Sequence, residues 1–170
     1  MSSNAEQSKL SQCRRFDPAP GHHPSLLANI MKSCPFCKIS ADRIIAEDEV
    51  CCAVRDHYPV SPGHTLIIPR RHVASFREMT SNEWNSVHRL AADLAKKMQE
   101  EDSSVQGFNL GINDGRTAGQ TIMHAHVHLI PRRAGDVHHP EGGVRGVIPG
   151  KARYPESNPP SDPLTGQPEE

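Results

Sequence analysis

The chain lacks a charge excess of either sign, a long apolar run and an even set of cysteines, and each lack removes a class of protein. Its 170 residues carry a formal net charge of -1 with an isoelectric point near 6.8. No polyanion-binding surface of the kind a nucleic-acid protein carries is therefore expected, although a small anionic ligand stays open. No stretch approaches the roughly 20 apolar residues of a membrane span. The N-terminus lacks the charged-then-apolar pattern of a signal peptide, so a soluble cytoplasmic protein without a membrane partner is expected. The five cysteines, Cys13, Cys34, Cys37, Cys51 and Cys52, are odd in number and irregularly spaced. That argues against a disulfide framework. No internal repeat is present.

Proline and polar residues crowd the two ends. Fifteen prolines and a mean hydropathy of -0.59 mean that part of the chain is not core. The expected organisation is a poorly ordered extension over 1–30, one domain over 31–135 and a partly extended tail over 136–170.

Between the ends, short strands alternate with one helix. Ile44-Ile45-Ala46 and Val50-Cys51-Cys52-Ala53-Val54 flank an acidic turn and read as a hairpin. Pro62-Gly63 turns the chain into Thr65-Leu66-Ile67-Ile68, a β-branched run that stops at Pro69. Thr80 or Ser81 suits the N-cap of a helix reaching about Glu101, with Trp84, Val87, Leu90, Ala91, Leu94 and Met98 as its core stripe. Strands over 107–113 and 122–130, with a short connector, imply an antiparallel pair, so the fold class is α+β.

The second of these strands holds the most informative run, His124-Ala125-His126-Val127-His128-Leu129-Ile130. Side chains alternate between the faces of a strand, so the three imidazoles are expected on one face and Ala125, Val127 and Leu129 on the other. At about 3.3 Å per residue the outer two stand about 13 Å apart. One ion could take two of them, but not easily all three.

With Gly119-Gln120-Thr121 just upstream, this run resembles the histidine triad (HIT) superfamily. Pro62-Gly63-His64-Thr65-Leu66-Ile67-Ile68-Pro69-Arg70-Arg71-His72 resembles that family's other landmark, a Pro-Gly-His strand ending in Pro-Lys/Arg-x-His. The resemblance covers residues 34–135. It implies a HIT-like fold: an antiparallel sheet of about five strands, one long helix and a short N-terminal segment tied down by zinc.

The resemblance also implies roles. His126 is the nucleophile that forms a nucleotidyl-histidine at an α-phosphate, His128 contacts phosphate oxygens or the leaving group, and His64 joins the cluster. A neutral imidazole suits this task, with one nitrogen free and the other donating a hydrogen bond. Gly119, Gln120 and Thr121 bring main-chain N–H groups and a hydroxyl to the phosphate. Asn113 lies near the phosphates, and Asp56 accepts the ribose hydroxyls, a task that suits a carboxylate.

Cys34-x-x-Cys37 has the spacing of a zinc pair, of two free thiols on a turn, or of a redox dithiol, the last disfavoured outside a βαβ pattern. The family closes such a site with histidines that map onto His72 and His124, which would make one structural zinc. The leading reading is a hydrolase of dinucleoside polyphosphates acting on a small nucleotide substrate, as a homodimer. Alternatives are a nucleoside phosphoramidase, a nucleotidyltransferase, a catalytic-metal protein built on His124 and His126, and a non-catalytic nucleotide sensor. For the stretch 132–154 no role follows from spacing: Arg133 and Arg145 suit a polyphosphate or plain solvent.

Overall fold

A computed structural model of the chain describes residues 33–153. The expected extension over 1–30 and the last residues of the tail lie outside that range. Five strands, β1 (Ile44–Glu47), β2 (Cys51–Arg55), β3 (Thr65–Pro69), β4 (Val105–Gly111) and β5 (Val127–Arg133), and one long helix, α1 (Ser81–Glu101), form the framework. The sheet is antiparallel, in the order β1-β2-β3-β5-β4.

Period two sorts the sheet into two faces. Cys51, Ala53, Ile67, Val127 and Leu129 bury against Val87, Leu90, Ala91, Leu94 and Met98 of α1. Cys52, Val54, Leu66 and Ile68 point the other way, where Phe36, Ile39 and Ile44 pack on them. His128 is the register partner of Leu66, so it projects from this second face, away from the helix.

The helix begins where the sequence places it. The Thr80 hydroxyl accepts from the Glu83 N–H at 3.2 Å, and the Glu83 carboxylate accepts from the Thr80 N–H at 2.7 Å, a reciprocal cap. This cap has a side effect that the apolar stripe did not foretell. Glu83 is drawn inward, 4 % exposed, where Arg71 also binds it, and Trp84 is left 39 % exposed against the edge of Phe76. Burial opposes the charge on Glu83, but Arg71 and Thr80 outweigh it and hold the carboxyl below its ordinary range.

The histidine strand starts later than its sequence suggests. The run over 122–130 was expected to be strand throughout, yet β5 begins at Val127, and His124 and His126 precede it. Pro69 ends β3 and has no N–H to continue the ladder. Beyond it Ala125 N–H donates instead to Val73 O, and the Gln120 amide donates to Ala74 O. The faces nevertheless alternate as expected, since Ala125, Val127 and Leu129 all enter the helix-side core.

The chain divides into two compact units at Arg132 and Arg133. In the described part of the second, Gly143–Val147 forms a short 3-10 turn entered through Gly142, whose φ is +82°. A side chain at Gly142 would run into the Ala152 carbonyl. Within the same unit Glu141 pairs with His139 and Arg153.

Candidate active site and metal centre

Two clusters of histidine sit side by side on the sheet face opposite α1. The first gathers Cys34 and Cys37 from the turn Pro35–Lys38, His72 from beyond β3, and His124. The Cys37 sulfur lies 3.2 Å from His72 Nδ1 and 3.6 Å from His124 Nδ1, and the Cys34 sulfur lies 3.5 Å from the same His124 nitrogen. His124 Nε2 donates to the Pro69 carbonyl at 2.9 Å, which leaves Nδ1 as the lone pair facing the sulfurs. Cys37 beside it, with His124 and His72, holds the Cys34 thiol far below its ordinary value of 9.0, at about 2, against the opposing effect of burial.

These four residues can hold a metal ion. Tetrahedral bonds of about 2.3 Å to sulfur and 2.0–2.1 Å to nitrogen place donor atoms about 3.3–3.8 Å apart; the two sulfur contacts of His124, 3.5 and 3.6 Å, fall at that spacing and that of His72, 3.2 Å, just short of it. A Cys2His2 donor set that fills all four positions is of the closed, structural kind.

The second cluster joins His64, His126 and His128 to Asp56. His126 is 7 % exposed, and its Nδ1–H donates to the carbonyl of His124 at 2.8 Å. Its Nε2 is thereby an unprotonated lone pair. Burial holds His126 below the ordinary histidine pKa, and the nearby His124 adds to this against the hydrogen bond to its carbonyl. The rings of His126 and His128 stand 5.1 Å apart. His128 Nδ1 meets His64 Nε2 at 3.0 Å, and the Asp56 carboxylate stands 3.4 Å from His64 Nδ1. Burial, then His126 and His64, push the His128 pKa down to about 4, with Asp56 opposing, and burial lowers His64 against the pull of Asp56. Asp56, His64 and His128 also bring ligand atoms within 4.8 Å of one another, but His126 belongs to neither metal-type group among the described residues.

The remaining candidates fall on the connection between β4 and β5. Asn113 lies beyond the end of β4, and its side-chain nitrogen would be 3.9 Å from a Cβ added at Gly119. Gly119 has φ +88°, a conformation that favours glycine, and both it and Thr121 are exposed. Gln120 differs: its amide oxygen accepts from Gly115 N–H at 2.8 Å and its amide nitrogen donates to Ala74 O at 2.7 Å. The side chain is spent inside the protein, 4 % exposed, bracing the loop.

Phe36 was not singled out from sequence. Its ring meets that of His126 edge-on at 5.1 Å and that of His124 at 6.0 Å, so the turn carrying both cysteines also walls the second cluster. The one available signal was its place between Cys34 and Cys37.

Comparison with known proteins decides the family. The HIT domain model matches residues 38–135. The chain belongs to the HIT family. It is 31 % identical over 132 residues to an adenylylsulfatase of Arabidopsis thaliana, covering 75 % of this chain and 66 % of that protein. A bis(5'-adenosyl)-triphosphatase of Dictyostelium discoideum is 35 % identical over 98 residues, covering 58 % and 65 %. Among solved structures, a zinc-bound histidine triad family protein from Mycobacterium smegmatis superposes with a TM-score of 0.58 at 34 % identity, covering 62 % of this chain and 79 % of that one. No helix among the described residues is long and apolar enough to cross a membrane.

Proposed function

We propose that this HIT protein hydrolyses dinucleoside polyphosphates at an α-phosphate through a covalent nucleotidyl-histidine on His126. The observation that carries the reading is the 2.8 Å bond from His126 Nδ1–H to the His124 carbonyl, which presents an Nε2 lone pair beside the half-buried ring of His128. In the first step Nε2 attacks the α-phosphorus, the bond to the bridging oxygen breaks, and the leaving phosphate departs with the electron pair. In the second, water attacks the same phosphorus, the P–N pair returns to Nε2, and the water proton is released with the nucleoside monophosphate.

Each remaining candidate has a place in this reading. Thr121 faces the phosphates with its hydroxyl and main-chain N–H and Asn113 stands beside them, whereas the Gly119 N–H, given to Arg116 O at 3.0 Å, and the Gln120 N–H, given to Gly115 O at 3.1 Å, hold the loop rather than touching substrate. Asp56 takes the ribose hydroxyls, and Phe36 offers an apolar wall to the nucleoside. His64 and His128 serve the leaving-group side. The two named relatives act on conjugates of an adenylyl group, which supports this chemistry.

Zinc is the metal proposed for Cys34, Cys37, His72 and His124, where it would fix the segment bearing His124 and Phe36. A reducing compartment such as the cytoplasm suits thiols kept free for it. A homodimer belongs to the same reading, with β4 at the edge of the sheet and its Leu110 half exposed as an edge that a second copy could cover.

A rapid quench with diadenosine tetraphosphate labelled at the α-phosphate tests the proposal. An acid-labile, base-stable adenylyl group on the wild-type protein that is lost in His126→Ala supports it. Turnover without any trapped adduct, at every quench time, overturns the covalent route. A nucleoside phosphoramidase is the second reading, and turnover of adenosine phosphoramidate in preference to the polyphosphate would select it.

A further inference from the structure

Attack at phosphorus succeeds only if the charge gathering on the departing oxygen is met, and His128 stands beside His126 for that task. What a neutral imidazole offers depends on which nitrogen carries its proton. His128 Nδ1 is taken up by His64 Nε2 at 3.0 Å, while His128 Nε2 is buried without a protein partner. Two settings of the pair are compatible with that contact. Either His64 donates from Nε2 and His128 keeps its proton on Nε2, or His128 donates from Nδ1 and turns a bare Nε2 to the substrate.

The choice is made on the far side of His64. The Val60 N–H lies 3.3 Å from His64 Nδ1, and an amide can only donate. The Asp56 carboxylate, 3.4 Å from that nitrogen, asks for the opposite setting, but it meets the ring as a charge contact, with its other oxygen accepting the Tyr58 N–H at 2.9 Å, whereas the Val60 N–H is aligned as a hydrogen bond.

The loop carrying Val60 is held in place at several points. Asp56 N–H donates to His64 O and His64 N–H to Ser61 O, both at 3.0 Å. Ser61 Oγ donates to Pro131 O at 2.7 Å, and Arg55 spans Gly63 O and Thr65 Oγ1. Gly63 closes the loop with φ +91°, and a Cβ there would press on Pro131 at 3.2 Å. The Val60 side chain is 72 % exposed, so its contribution to the site comes from the main chain.

We propose that the Val60 main-chain N–H, acting through His64, fixes the His128 proton on Nε2, so that the site meets its substrate with a lone pair on His126 and an N–H on His128. The chemical use of this device rests on the proposed function. His128, neutral near pH 7, donates a hydrogen bond to the leaving oxygen and keeps its proton. The P–O bond breaks, the electron pair goes to the oxygen, and the Nε2–H bond stabilises that charge. Leaving groups that depart as anions, phosphate or sulfate, gain from this. Val60 and His64 are therefore positioning residues for the leaving-group side of the site.

The test begins with the tautomer, read by ring nitrogen shifts in the full-length protein labelled with 15N-histidine near pH 7. Protons on Nε2 of both His64 and His128 are expected, and a proton on His128 Nδ1 overturns the proposal. This readout needs no substrate, so it stands apart from any failure of the hydrolase reading. Val60→Pro removes the amide proton, and Val60→Ala serves as its reference. Relative to Val60→Ala, kcat for diadenosine tetraphosphate should fall about tenfold in Val60→Pro, whereas for the 4-nitrophenyl ester of AMP, whose leaving charge is delocalised, it should change less than about twofold. Equal loss on both substrates, or loss on neither, overturns the proposal. If Val60→Pro does not fold, the nitrogen spectrum of the wild type decides alone.

Discussion

The two histidine clusters are built from one kind of side chain, yet they are made unlike by what surrounds them. In one, His72 and His124 turn Nδ1 toward sulfur, and the buried Cys34 is driven to the thiolate. In the other, His126 turns Nδ1 toward a carbonyl, and burial keeps the rings neutral. His124 belongs to both, giving its ring to the first and its carbonyl to the second. Spacing along the chain therefore does not allot the work; the partner of the second ring nitrogen does.

That contrast can be broken at several points, the largest effect first. His126→Ala should lower kcat by at least about a thousandfold while leaving bound zinc unchanged, as measured by turnover and metal analysis of the same sample. Cys34→Ser should do the reverse. Zinc content should fall from about one per chain to near none and the thermal midpoint by roughly 10 °C, with turnover per folded molecule far less affected than in His126→Ala. Full zinc content in that variant would remove the proposed ligand set.

Gln120 sharpens the comparison because it touches neither cluster's chemistry. Gln120→Ala forfeits the bonds to Gly115 and Ala74 and should cost about 2 kcal/mol in urea unfolding, with KM raised more than kcat is lowered. The smallest effect concerns pH. His64 and His128 are lowered in the folded protein, so their contribution to stability is fully present above the unfolded histidine value of about 6.5 and is lost as pH falls toward about 4, where His128 itself titrates. The thermal midpoint should therefore drop across that window, and His128→Gln should flatten part of the drop.

Much of this site was legible before any coordinates. The Cys34, Cys37, His72 and His124 grouping followed from the family resemblance, and the inward Ala125, Val127 and Leu129 from period two, a signal carried by residue type and spacing. What escaped was carried by the main chain or by competition between side chains. β5 begins at Val127 because Pro69 has no N–H to offer, and Trp84 is displaced outward because Glu83 is needed inside. In the motif Gly119 and Gln120 read as offering main-chain N–H groups to a phosphate, but these donate to Arg116 O and Gly115 O, and the Gln120 side chain is likewise satisfied internally. The Val60 amide carries no signature at all, since every residue but proline has one.

The bond from His126 to the His124 carbonyl has a bearing on how such a protein can change. A carbonyl is present whatever side chain occupies position 124, so the feature that decides which nitrogen of His126 keeps its lone pair is not itself open to point substitution. A lineage, or a designer, can exchange the ring at that position, and with it one donor of the candidate metal group, while the orientation of the neighbouring imidazole is inherited intact, provided the path of the chain is kept by other means. The ring and the carbonyl of one residue serve two clusters without sharing a fate.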